Sequence, residues 1–568
     1  MSEDERISKI NSLLRRRGII LPSFELYGGV SGLIDYGPIG AVIKRKVIDR
    51  WIYHWSKLGN IVEIDSPTIT PDKVLQASGH VSEFNDFMSV CSKCRSTFRS
   101  DHLIENHYDD SDSMNANQLK EKIAELKIKC PSCNSREWSD PEPMNLMFST
   151  KIGAMSNGRI AYLRPETAQG MFMLYPSLFR HFRQKLPFGA MQVGKGYRNE
   201  ISPRQGMIRL REFNMAEIEY FIDPEDDLEI DYGNWPEKIS FISSNSEKIS
   251  CSIKECFERG IVRDKFVALF IAMTWEFLID IGIDSQKIRF RQHNSDEMAH
   301  YASDCWDCEL LGSHGWIECV GIANRTCHDL ESHEEFSKSN LLRGWRKYDE
   351  PTFVSRKYIS PISSIIGPKF KSDAKEVSKS ISEMGEMPES FPFDLTLPDG
   401  RVMEITEEMI ELKQEDEVIH GEYFTPHVIE PAFGIDRIIW HILDHSFIEI
   451  EKEGDSYTIL NLKDIVAPYD LAILPLFDKD EMIKIAKSLM KDINEIPRIT
   501  GQMDTSRSIG RRYARADEIG IPWCITVDYT SLDDSTVTIR RMIDQNQVRV
   551  KIKVLLEKLR NGTIEGLF

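Results

Sequence analysis

At 568 residues the chain is long enough for several domains, and its 41% apolar and 28% charged composition is that of ordinary globular protein. A formal net charge of −19 argues against a surface that coats nucleic acid indiscriminately. The start MSEDERISKI lacks the apolar stretch of a secretory leader, FVALFIAM (266–273) has the length of a buried helix and not of a membrane span, and eleven cysteines form an odd set for a disulfide framework, so a cytoplasmic protein is expected.

Charge is unevenly spread. Residues 501–568 hold eleven Lys/Arg against nine Asp/Glu, which leaves −21 for the remainder. Acidic runs such as DPEDDLEID (223–231) read as solvated loops.

Ile39, Ile43, Val47, Trp51 and Trp55 recur every four residues, which predicts an amphipathic helix over 39–58 begun by Pro38. A strand in NIVEIDSP follows and stops at Pro67. Next come Cys91-x-x-Cys94 and Cys130-x-x-Cys133, separated by 35 residues. Four thiolates in paired spacing suit tetrahedral zinc in a closed structural site; free thiols are the alternative, and His102 and His107 between the knuckles are spare ligands. Two strands around a polar turn are expected over 190–221, and mostly helix over 225–290 with a strand returning at KIRFRQH. Cys305, Cys308 and Cys319 read as buried thiols, with SHGWIECVGIA (313–323) a strand. Residues 350–425, rich in Ser, Pro and acids, read as an insertion. HVIEPAFGIDRIIWHIL (427–443) reads as strand, turn and helix. Past Pro468 come a strand DLAILPL, helices near 479–493 and 508–519, a strand WCITVDY and a helix near 545–560, together a separate α/β domain.

The densest charge lies in GKGYRNEISPRQGMIRLREFNMAEIEYF (194–221), with four arginines and four glutamates around a Pro/Gly loop. On a strand, Arg198 and Glu200 share a face, and Arg209, Phe213 and Glu217 share parity on the returning strand. Such a surface offers guanidinium groups to phosphates, an aromatic plane to a base and a carboxylate to a cation. A surface hairpin laced with ion pairs is the bland alternative.

YRNE…RLREF resembles motif 2 of the class II aminoacyl-tRNA synthetases, FGIDRIIW their motif 3, and GPIGAVIKRKVIDRWIYHW…NIVEIDSP their motif 1, in the family order. GGVSGLIDYGPIGA, LRPETAQGMF, WIECVGIANRTCHDL and VIEPAFGIDR narrow the resemblance to glycyl-tRNA synthetases of the archaeal and eukaryotic kind. It runs over most of the chain, most vaguely at 225–290 and 350–425. The fold it implies is α+β: an antiparallel catalytic sheet flanked by helices over 1–90 and 145–465 with insertions near 225–290 and 350–425, a zinc-knuckle insertion over 91–144, and an anticodon-binding domain over 466–568.

The resemblance also implies an activity: glycine and ATP form glycyl-adenylate, and glycine then passes to tRNA(Gly), in a homodimer without membrane attachment. Its catalytic residues would be Arg198 and Arg437. Arg198 would meet the α-phosphate, Glu200 the adenine amino group and Phe213 the base. Arg209 and Arg437 would hold the distal phosphates, and Glu318 would hold Mg²⁺ with ATP. Glu166, Glu217 and Glu430 would surround the glycine ammonium, with Arg325 lining the site. Two positions depart from the family: Ala432 where Ser is frequent, and Asp436 before Arg437 where many relatives have Gly. The C-terminal segment SIGRRYARADEIG groups Arg511, Arg512 and Arg515, with Arg540 and Arg541 downstream; Arg511, Arg512 and Arg540 are the expected tRNA contacts. Two alternatives stand beside this reading. One is a prolyl, threonyl or histidyl enzyme, against which the RPETAQG and AEIE carboxylates argue. The other is a non-catalytic nucleic-acid-binding paralogue, which should have lost the motif arginines.

Overall fold

The computed structural model describes residues 2–105, 107–108, 111, 114–154, 158–201, 203, 206–230, 235, 238–294, 303–384, 387–388, 390–452 and 455–568. It divides into two compact units, 1–342 with 425–568, and 343–424.

The larger unit is organised by nine strands: β1 (Ile61–Glu63), β2 (Phe188–Tyr197), β3 (Glu212–Ile222), β4 (Ile239–Ile242), β5 (Lys248–Cys251), β6 (Ile288–Gln292), β7 (Asp304–Gly312), β8 (Gly315–Asn324) and β9 (His427–Gly434). Their spatial order is β5-β4-β6-β7-β8-β9-β3-β2-β1. The strands from β6 to β2 pair antiparallel with their neighbours; β2–β1 and β4–β6 are parallel. An antiparallel α+β core is therefore present.

Helix α1 (Pro38–Ser56) packs on one face of this sheet. Pro38 sits in its first turn, where a missing N–H costs nothing, and Ile43, Val47, Trp51 and Trp55 are fully buried at the expected spacing. Gly40 is needed there, because a Cβ would stand 2.0 Å from the Ile19 carbonyl oxygen. Trp51 and Trp55 lie edge-on to Phe433 of β9 at 5.7 and 5.8 Å. Each such ring removes on the order of 200 Å² from water, about 5 kcal/mol before ordering entropy. Helix α2 (Ala168–His181) covers a second cluster around Phe172, Tyr175, Phe188 and Phe221. Helix α3 (Lys265–Asp280) contains FVALFIAM and is buried on nearly every side. Among the described residues no helix is long and apolar enough to cross a membrane.

The expectation of mostly helix over 225–290 is corrected. That stretch supplies the edge hairpin β4–β5 and one short helix, Ile253–Glu258, before α3. Short apolar runs such as ISFI fit a buried strand or a helix equally by period, and sheet pairing decided.

Helix α4 (His328–Ser337) follows β8, and α5 (Ile435–Ser446) follows β9. Beyond them lies a five-stranded mixed sheet: β10 (Leu471–Pro475), β11 (Gly501–Met503), β12 (Trp523–Val527), β13 (Thr536–Arg541) and β14 (Gln547–Lys551), in the order β11-β10-β12-β13-β14. Helices α6 (Asp480–Asn494), α7 (Ile509–Glu518) and α8 (Ile552–Arg560) accompany it. The helix expected near 545–560 begins at Ile552, because Gln547–Lys551 pairs with β13.

The smaller unit is a ribbon of two long strands, Gly344–Pro361 and Ile410–Phe424. Helices Ser363–Phe370 and Ala374–Ser382 and the hairpin Phe393–Thr396/Val402–Ile405 share a core around Ile359, Ile366, Val377, Ile381 and Ile405.

Candidate active site

Strands β3, β8 and β9, the β2–β3 loop and the start of α5 enclose a cleft with a cavity volume of about 180 Å³. All six side chains expected around a nucleotide line it: Arg198, Glu200, Arg209, Phe213, Glu318 and Arg437. On β3, Phe213, Met215 and Glu217 line the cleft while Ala216 and Ile218 enter the core, as strand alternation requires.

Strand parity does not govern Arg198, Glu200 and Arg209, contrary to expectation: β2 ends at Tyr197 and β3 begins at Glu212. The loop folds them inward by other means. The Arg198 amide donates to Arg211 O at 2.9 Å, and Arg211 Nε donates to Glu200 O at 2.9 Å. The GGVSG segment clamps the loop from outside, with Ser31 Oγ donating to Pro203 O at 2.6 Å. Gly32 has φ +77°, and a Cβ there would stand 2.6 Å from Pro203 Cγ.

The arginines are held without being used up. The Arg198 guanidinium lies 5.4 Å from the Phe213 ring centre and 5.3 Å from that of Phe84. Arg209 Nε is 3.4 Å from Glu200 Oε2, and its Nη1 is 3.2 Å from His102 Nε2. Arg437 donates to Glu318 O at 2.7 Å and Ile208 O at 3.1 Å, while the Glu318 carboxylate lies 3.8 Å away. Side-chain exposures of 33% for Arg209 and 34% for Arg437 leave both open to the cleft. Glu318 is 54% exposed, whereas Cys319 next to it is 2% exposed with Sγ 3.6 Å from His441 Nδ1. Asp436 also lines the cleft, but its carboxylate is engaged by the protein. Its carboxylate accepts from the Asn214 amide at 2.6 Å, from Asn214 Nδ2 at 2.9 Å and from the Tyr36 hydroxyl, tying α5 to β3. Burial raises its pKa against those hydrogen bonds.

Beside Glu217 lies a cluster of carboxylates. Glu217 is 2% exposed and accepts from the Thr167 amide at 2.7 Å and from the Thr167 hydroxyl. Burial, then the Glu430 and Glu166 charges, push its pKa up to about 8. Arg325 Nη1 donates to Glu430 Oε2 at 2.8 Å, and its other nitrogens grip Asp329 at 2.7 and 2.9 Å. Burial raises the Glu430 pKa in spite of Arg325. Glu166 behaves oppositely: burial opposes its ionisation, but His80 at 3.3 Å, Arg325 and Gln169 at 2.9 Å outweigh it and hold the carboxyl well below its usual range. Ala432 stands opposite Glu217 on one side and Gly321 on the other. A hydroxyl lost there is one that would have neighboured Glu217, a role Thr167 fills.

Sequence reasoning missed Glu219, Asp329, Thr167 and His80 as members. The register that pairs Glu217 with Ala432 and Tyr220 with Ile429 carries Glu219 level with Glu430. Glu219 is fully buried with neither carboxylate oxygen hydrogen-bonded, and burial followed by Glu430 drives its pKa far up. The repeat in AEIE, two glutamates at strand spacing, was its signal. His80 carried none, because its partner Glu166 comes from a distant segment, whereas Asp329 pairs locally with Arg325 four residues before it.

Cys91, Cys94, Cys130 and Cys133 converge with their sulfurs all within 4.8 Å of one another. Cys91–Cys133 and Cys94–Cys130 are each 3.6 Å apart, too far for disulfides and close to the edge of about 3.8 Å for a tetrahedron of thiolates bound at 2.3 Å. The two knuckles repeat one backbone design, with the residue after each second cysteine left-handed (Arg95 φ 61°, Asn134 φ 59°) and its amide donating to the first cysteine's carbonyl at 2.9 Å. The residues fit a closed four-thiolate metal site. His102 faces Arg209 instead. Cys305 and Cys308 sit three apart on β7, on opposite faces of the strand, and do not converge.

Two of the three expected tRNA contacts need correction. Arg512 is 3% exposed and spends its guanidinium on backbone carbonyls, among them Arg507 O at 2.7 Å. Arg540 is 5% exposed and grips buried Asp517 through two bonds of 2.9 Å, with Tyr513 4.8 Å from its guanidinium. Both hold the domain together. Arg511 is exposed, while Arg515 is occupied by Asp504.

A family model described as "tRNA synthetase class II core domain (G, H, P, S and T)" matches residues 148–325, and one described as "Anticodon binding domain" matches 470–562. Among solved structures, Giardia lamblia prolyl-tRNA synthetase in complex with prolyl-adenylate superposes with a TM-score of 0.50 at 11% identity, over 100% of this chain and 82% of that one, a likeness of fold. Glycine–tRNA ligase of Methanothrix thermoacetophila is 43% identical over 98% of this chain and 97% of its own length. The enzyme of the same name from Methanocaldococcus jannaschii is 43% identical over 98% and 99%. With the cleft assembled as described and identity sustained from end to end, the chain belongs to the glycine–tRNA ligase family.

Proposed function

We propose that the cleft is where this glycine–tRNA ligase joins glycine to ATP, before glycine passes to the 3′ end of tRNA(Gly). The observation that carries this reading is the meeting of two opposite surfaces: arginines beside an aromatic ring line the cleft, and Glu217, which lines it too, joins it to the buried carboxylates behind. A triphosphate and an ammonium need those two surfaces.

Glycine brings its own ionised carboxylate as nucleophile, so the adenylation step needs no general base. Its oxygen bonds to the α-phosphorus and pyrophosphate departs. The protein orients the reactants and balances phosphate charge. Arg198 serves the α-phosphate, Arg209 and Arg437 the distal phosphates, Phe213 stacks on adenine and Glu200 reads its amino group. Glu318 is the candidate Mg²⁺ ligand, since a half-exposed carboxylate beside phosphates is a hard-oxygen site. Glu166, Glu217 and Glu430 receive the glycine ammonium, with Arg325 fixing Glu430. Specificity follows from size, because a filled pocket rejects a side chain by clash. Cys91, Cys94, Cys130 and Cys133 hold a structural zinc, which suits thiolates in a closed cage. We assign catalysis to 1–90 and 145–465, the zinc module to 91–144 and anticodon binding to 466–568, where exposed Arg511 is the remaining arginine candidate of the original three. A homodimer built around the helix Pro38–Ser56, acting in the cytoplasm, completes the proposal.

Amino-acid-dependent ATP–pyrophosphate exchange, run with each of the twenty amino acids and Mg²⁺, tests it. Exchange with glycine alone is expected. Exchange with another amino acid refutes the pocket assignment, and none with any, from folded metal-loaded protein, refutes activation.

A further inference from the structure

The cysteine module reaches the cleft by a route that the roles above leave unused. Strand Asn85–Val90 leads directly into Cys91, and its partner Thr97–Arg99 begins three residues after Cys94. Three residues beyond that second strand, His102 puts Nε2 3.2 Å from Arg209 Nη1. The turn carrying it is fixed at several points. Ser100 N donates to Phe87 O at 2.8 Å, Arg99 bridges Asp86 at 2.7 Å and Asp101 at 2.6 Å, and Ile104 is buried in the module's own core with Leu119 and Ile123. At the root of the same strand, the Phe84 ring meets Arg198. The Phe84 carbonyl accepts from the Leu146 amide at 3.1 Å, and the Leu146 carbonyl from the Asn199 amide at 2.7 Å. Both arginines flanking the β2–β3 loop thus touch side chains whose placement follows the pairing of two strands around the thiol cage.

We infer that His102 is a positioning residue for ATP, holding Arg209 in its phosphate-binding pose, and that through it the four-cysteine cage sets ATP affinity. The inference rests on the reading of Arg209 as a phosphate ligand. Arg209 has one carboxylate near its Nε and one ring nitrogen near its Nη1; removing the second frees a long side chain that must be ordered again when ATP binds. The ring is suited to accept. Burial, then Arg99, with Arg209 adding, lower its pKa to about 4 against Asp101, so it is neutral at working pH, and Nε2 accepts in the tautomer protonated at Nδ1.

The test uses the full-length enzyme in glycine-dependent ATP–pyrophosphate exchange, with KM measured separately for each substrate, and calorimetric titration of ATP into native and chelator-stripped protein of measured zinc content. H102A is expected to raise KM for ATP about tenfold, the worth of one hydrogen bond to a charged group, with KM for glycine unchanged. H102Q, whose amide oxygen accepts from Arg209, is expected to recover most of the loss. Stripping the wild-type protein should weaken ATP binding by a like factor, and stripping H102A should add little. R209A separates the two layers. If it leaves KM for ATP unaltered, the phosphate role of Arg209 is wrong; if it raises KM for ATP while H102A does not, only the coupling is wrong. Equal rises in both substrates' KM, or additive effects of stripping and H102A, also overturn the coupling. Should H102A fail to fold by circular dichroism, H102F, which keeps ring volume and drops the acceptor, is judged by the same criteria.

Discussion

Two arginine-rich stretches, 198–211 beside the cleft and 511–541 in the C-terminal domain, look alike as sequence and end in opposite states. In the first, Arg198 and Arg209, like Arg437 across the cleft, are gripped at one edge and open at another, with an aromatic plane and carboxylates for company. In the second, Arg512 and Arg540 are almost wholly buried and saturated, one by carbonyls and the other by Asp517. Free donors facing a cleft are available to a ligand; donors saturated inside a domain brace it. Density of charge does not separate the cases, whereas burial and partners do.

The sharpest way to break this contrast is Arg540→Ala. It leaves Asp517 charged at 0% exposure, so we expect a loss of about 3–5 kcal/mol in denaturant unfolding of the C-terminal domain, with glycine-dependent exchange little changed where the protein remains folded. Arg198→Ala should do the reverse. Exchange falls by about 10²–10³-fold, or roughly 3–4 kcal/mol of transition-state stabilisation, with a small change in unfolding midpoint. A large loss of exchange in the first variant, or of stability in the second, would erase the distinction.

The carboxylate cluster gives a smaller, pH-dependent effect. Glu217 holds its proton up to about 8 in the native protein, against an ordinary value of 4.5. Between those values the native state binds a proton that the unfolded state has released, so stability falls as pH rises, by up to about 1.4 kcal/mol per pH unit for one such group. Glu219 and Glu430 shift in the same direction, and Glu166 opposes them. Urea midpoints of glycine-free enzyme should therefore decline from pH 5 to 8, and Glu217→Gln should flatten the decline. Saturating glycine should flatten it as well, since an ammonium favours the ionised carboxylates; unchanged slopes in either case would mean the cluster does not titrate with Glu217. Smallest of all, Arg511→Ala should weaken tRNA binding by less than about tenfold and reduce its salt slope by roughly one, without touching exchange.

Legible in the linear chain were the helix Pro38–Ser56, the paired strands of the cleft, the strand–turn–helix bearing Arg437 and the four-cysteine cage. In each the signal is local: a period of about 3.6 or 2, a proline at a helix start, a fixed ligand spacing. Motif order, which survives in a linear string, also picked out the six side chains that line the cleft. The rest came from contacts between segments far apart in the chain. Whether 239–251 is helix or strand depended on pairing across a sheet. Asp436 found a partner in Tyr36, 400 positions away, and Arg540 became structural through Asp517. His80 joined the carboxylate cluster through Glu166, and His102 met Arg209 across 107 positions. Burial and partnership are properties of neighbours in space, and a string records only neighbours in order.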